Sequence, residues 1–165
     1  LTMKISLVIA LLIPAIGFCE DVIITGNVQS KCVINTDTAG IYGNPTSDKL
    51  STAPADGGVM PIIRYDVSLA DAYTARVTTP TSFSTSPALS DVVNWTGSTT
   101  VSAVSDTAMS DYDTNAVEYD STTEFDLHTA GTVWFKVDST AEYGYNKAFP
   151  GGTYRAVVEA ECIAN

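Results

Sequence analysis

Apolar residues recur with period two along most of this chain, and that alternation predicts strands rather than helices. The clearest case is Ile62 to Leu69, where Ile63, Tyr65, Val67 and Leu69 alternate with Arg64, Asp66 and Ser68. Tyr73, Ala75 and Val77 continue the pattern past Asp71, as one long strand or as a tight hairpin. Upstream, Val22 to Ile34 is a long strand candidate, with Val22, Ile24, Gly26, Val28, Ser30, Cys32 and Ile34 on one face. Downstream, Phe125 and Leu127 alternate with Glu124 and Asp126, Val133, Phe135 and Val137 with Trp134 and Lys136, and Val117 shares a face with Tyr119. In the last segment, Thr153 to Ile163, Tyr154, Ala156, Val158, Ala160 and Cys162 face one way and Arg155, Glu159 and Glu161 the other.

Turn chemistry punctuates these runs. Gly40, Gly43-Asn44-Pro45, Pro54 and Asp56-Gly57-Gly58 predict a long surface loop over 35–58, with a short strand near Ile41 and Tyr42. Thr79 to Ser90 reads as a proline-marked loop. Val92 to Thr96 and Thr99 to Val104 read as two short strands joined by a hairpin turn at Gly97-Ser98. Asp106 to Asn115 reads as an acidic loop. The sum is about seven to nine short strands and no amphipathic helix, which predicts a single antiparallel, immunoglobulin-like β-sandwich.

The opening residues change the compartment. Lys4 precedes the apolar run Ile5 to Ile13, which is too short to span a bilayer; Pro14 breaks it, and small residues follow at Ala15 and Gly17. This layout predicts a secretory signal peptide over 1–19, starting from Met3 and cut before Glu20, and a β-sandwich domain over 20–165. A lipoprotein reading would acylate Cys19, but Phe18 stands where a small residue is needed. No second stretch has the length of a transmembrane helix. The expected location is therefore outside the cytoplasm, in the periplasm or at the cell surface.

Charge narrows the partners. The chain carries 8 basic and 19 acidic residues, a net of −11. Such a surface repels nucleic acid and anionic membranes.

If Cys19 leaves with the leader, Cys32 and Cys162 remain, and two cysteines in an oxidising compartment pair. The bond would clip the first strand to the last and contribute about 4–5 kcal/mol in the chain-entropy model. No CxxC occurs, and the single histidine, His128, is distant in sequence from both, which argues against zinc or thiol chemistry.

Candidate sites are few. There is no GxSxG element, and His128 near a turn is a poor candidate for a general base, so the chain reads as a non-enzyme. Asp111, Asp113, Asn115 and Glu118, with Asp106 and Asp120 close by, form a candidate Ca²⁺ site of clustered oxygen ligands, although Ala116 and Thr122 break the EF-hand pattern; no other cofactor is implied. Trp95, Trp134, Tyr143, Tyr145 and Phe149 are candidates for a sugar-stacking surface. Asn94-Trp95-Thr96 matches the N-glycosylation sequon, relevant only in a eukaryotic secretory pathway.

The stretch GNVQSKCVI (Gly26 to Ile34) and the ending PGGTYRAVVEAECIAN resemble the opening and the late strand of chaperone–usher fimbrial subunits. That resemblance implies an incomplete sandwich whose missing strand comes from the N-terminus of the next subunit, with a periplasmic chaperone before assembly. The donor residues here would be Val22, Ile24, Gly26 and Val28. The chain departs from the family in placing its second cysteine almost at the C-terminus and in lacking a penultimate tyrosine. The expectation from sequence is a pilin-like subunit that self-associates into filaments; the alternative is a monomeric calcium- or carbohydrate-binding sandwich.

Overall fold

In the computed structural model, residues 25, 31–68, 73–145 and 147–165 are described. The expected signal peptide over 1–19 and the expected donor residues Val22, Ile24, Gly26 and Val28 lie outside them.

The described chain forms twelve strands, all paired antiparallel. The longest, β10 (Gly131–Tyr143), organises the first sheet. Along one edge it pairs with β4 (Ile62–Val67) and, further on, with β3 (Lys49–Ser51); β7 (Val93–Val104) runs along the other edge. Outside β4 lies β1 (Cys32–Thr38), and outside β3 lies β2 (Gly43–Thr46). The second sheet has the order β12 (Glu159–Ala164), β5 (Tyr73–Thr78), β9 (Thr122–Asp126), β8 (Val117–Tyr119). A small third pair joins β6 (Phe83–Thr85) to β11 (Arg155–Ala156).

The alternating residues meet between the two large sheets. Ile63, Tyr65 and Val67 of β4 and Val133, Phe135 and Val137 of β10 pack against Ala75 and Val77 of β5, Phe125 of β9 and the following Leu127. Phe135 touches both layers: its ring lies edge-on to Tyr65 at 5.4 Å and against Phe125 at 4.2 Å. The Tyr65 hydroxyl crosses the core to donate to the carbonyls of Arg76 and Glu161, a registered pair in the second sheet, and burial raises its pKa.

The all-β sandwich predicted from the alternation is the architecture found, and five local expectations change. Segments 62–69 and 73–77 are neither one strand nor a hairpin, because β4 and β5 belong to opposite sheets. The loop expected over 35–58 contains the β2–β3 hairpin, held by the Asn44 side chain donating to the carbonyls of Thr46 and Lys49. The loop expected at 79–90 contributes β6 to a strand pair.

Residues 92–104 form one strand rather than two. Gly97 is a close-approach residue, not a turn: a Cβ there would lie 2.9 Å from the Asp138 carbonyl oxygen and 2.9 Å from the Thr79 side chain.

The acidic loop has structure too. A 3₁₀ turn (Thr107–Met109) and one helical turn, α1 (Tyr112–Asn115), bury Met109 and Tyr112 against the core. Asp106 caps the first of these by accepting from the Ala108 amide at 2.8 Å.

Candidate functional site

The Cys32–Cys162 disulfide joins β1 to β12, the strands at one side of the two facing sheets. Among the described residues each of these strands has a single hydrogen-bonded neighbour, β4 and β5 respectively, so each presents a free backbone edge on that side.

Beyond the disulfide the same side opens into a cleft of about 850 Å³. Ile34, Leu50 and Ile63 line it from the first sheet and Val158 and Ala160 from the C-terminal segment. Ile41 and Val157, each 58% exposed, belong to its lining as well. Large aliphatic side chains left this exposed around a concavity mark a surface that gains by being covered.

The polar groups of the cleft are largely satisfied internally. The Tyr42 and Ser139 hydroxyls bond to each other at 2.9 Å, and burial raises the Tyr42 pKa. The Tyr154 hydroxyl donates to the Pro150 carbonyl at 2.6 Å. Arg155 is the single charged residue among the described ones that line the cleft.

Period two explains how β12 and its approach supply this wall. Tyr154, Ala156, Val158, Ala160 and Cys162 are half-buried, whereas the odd-numbered residues between them are exposed. Val157 was missed as a site residue, yet a signal was there: it is an apolar residue on a face otherwise made of Arg155, Glu159 and Glu161.

The other candidates resolve differently. Asp111 accepts from Asn115 through one oxygen (2.8 Å) and contacts His128 Nε2 through the other (3.0 Å). Asp113 accepts from the Val101 amide at 2.7 Å, near the point where β7 shifts register against β10. Glu118 lies apart on β8. Among the described residues no group of three or more His, Cys, Asp or Glu side chains is placed to hold a metal ion. His128 also contacts Thr129 Oγ1 at 2.9 Å and packs edge-on to Tyr112, so its visible work is to pin α1 against the end of β9.

Of the aromatic candidates, Trp95, Tyr143 and Phe149 join Phe83 and Tyr154 in one cluster around the β6–β11 pair. Tyr145 is 94% exposed, and Trp134 is half-buried on the face of β10 that points away from the core.

Comparison with family models, with curated proteins and with solved structures finds no match to this chain. Among the described residues no helix is long and apolar enough to cross a membrane.

Proposed function

We propose that this protein is an exported structural surface subunit that assembles into filaments by β-strand addition. The N-terminal segment of one copy, carrying Val22, Ile24, Gly26 and Val28, enters the cleft between β1 and β12 of the next. The observation that carries this reading is the cleft itself, an apolar concavity flanked by two free strand edges. An extended segment docked there gains backbone hydrogen bonds from an edge and buries alternate side chains in the cleft.

Charge supports the same occupant. The donor stretch begins Glu20-Asp21, and the charged residue in the cleft lining is Arg155. The disulfide supports an oxidising compartment, as export requires. Before assembly, a strand from a periplasmic chaperone would cover the same apolar surface.

Val157→Asp tests the reading without disturbing the core. Val157 is exposed, so unfolding free energy should change by no more than about 0.5 kcal/mol. A charge at the cleft should nevertheless abolish multimers seen by size-exclusion chromatography of the wild-type protein. Multimers that survive the substitution would contradict the proposal.

A further inference from the structure

A second cleft, of about 380 Å³, lies on the side of the sandwich opposite the disulfide. It is bounded by β7, by the Asp120–Ser121 turn between β8 and β9, and by the segment that follows β5. Its volume falls within the range of small-ligand sites.

Trp95 supplies an aromatic wall. Phe83 packs edge-on against its ring at 4.6 Å, which fixes the indole's orientation. Asp120 is the one non-glycine residue with positive φ (52°) among the described residues. It opens the two-residue turn between β8 and β9, a place where aspartate takes this conformation readily, and the turn brings its side chain to the cleft. Among the described residues, the Asp120 carboxylate and the hydroxyls of Thr81, Thr96 and Ser121 have no hydrogen-bond or ion-pair partner.

We infer that this cleft binds a single neutral pyranose unit of a glycan, stacked on Trp95 with a hydroxyl donating to Asp120. The donor and acceptor inventory selects that class. A carboxylate with no cation beside it repels anions. Hydroxyl groups both donate and accept, so three of them in one cleft ask for a ligand that does both. An ammonium group can only donate; a sugar ring offers hydroxyls of both kinds around a carbon–hydrogen face that suits an aromatic wall. The bond from a sugar hydroxyl to Asp120 is charge-assisted and accounts for the largest share of orientation. The inference does not rest on filament assembly. Pro80 lines both clefts, but Trp95, Asp120, Thr81, Thr96 and Ser121 line only this one.

The test is titration of the full-length protein with methyl glycosides of glucose, galactose, mannose and N-acetylglucosamine, with choline as the cationic control. The chain has 2 tryptophans, so the indole N–H signal of Trp134 serves as an internal reference for that of Trp95. At least one glycoside should shift the Trp95 signal saturably and leave Trp134 in place. Asp120→Asn should weaken that binding about tenfold or more, and asparagine tolerates the left-handed backbone. Thr81→Val, which removes one exposed hydroxyl, should weaken it in the same direction and provides a second readout if Asp120→Asn perturbs folding. The inference is overturned if no glycoside shifts Trp95, if both variants bind as the wild type does, or if choline binds and the glycosides do not.

Discussion

Replacing Cys32 and Cys162 together by alanine is expected to lower unfolding free energy by about 4–5 kcal/mol, the chain-entropy value for a closed loop of this size. The two cysteines are separated by 130 positions, so the bond restricts almost the whole described chain in the unfolded state. Its native-state role points the same way. No backbone pairing links β1 to β12 among the described residues, and the disulfide is the covalent tie between the two sheets at that side. Denaturant titration of the double variant and of the wild type, with and without reductant, measures the effect. The reduced wild type should match the variant. A transition midpoint insensitive to reduction would show that the sheets hold together by packing alone.

Phe135→Ala should cost about 3–5 kcal/mol, the range for deleting a fully buried phenylalanine. Phe135 is inaccessible to solvent and contacts Tyr65 within its own sheet and Phe125 across the core. Neither neighbour can easily fill the space. Tyr65 is anchored by its hydroxyl to the carbonyls of Arg76 and Glu161, and Phe125 sits mid-strand in β9. The cavity should therefore persist instead of collapsing, which places the expected loss toward the upper end. A cost below about 1 kcal/mol, the scale of a volume-conserving core substitution, would contradict this packing.

Strands with a strict apolar alternation were legible from sequence, because each had one buried and one wet face. β4, β5, β9, β12 and the first half of β10 belong to this class, and so does the cysteine pair. What failed was local and has physical causes. Gly97 read as a turn because glycine serves both turns and close contacts, and only the approach of Thr79 and the Asp138 carbonyl tells them apart. Residues 106–115 read as solvated because acidic side chains dominate, whereas Met109 and Tyr112 are buried and the acids serve as caps and partners. β6 and β11 are too short to carry a period.

The candidate sites were legible only in part. Sequence gave the apolar alternation of Val158, Ala160 and Cys162, but it could not bring Ile41, Leu50 and Val157 to the same cleft. Those residues converge through long-range pairing, including the isolated bridge between Ile41 and Val59. Trp95 was legible as an aromatic candidate and Asp120 as a neighbour of the candidate calcium loop, but their meeting at one cleft depends on long-range packing that the sequence does not display.

Strand addition through the N-terminus is decided by negative-stain microscopy with size-exclusion chromatography on the full chain, with and without residues 20–28. Ordered fibres are expected from the intact chain and should be lost on truncation. A monomer that is unchanged by truncation would contradict strand addition.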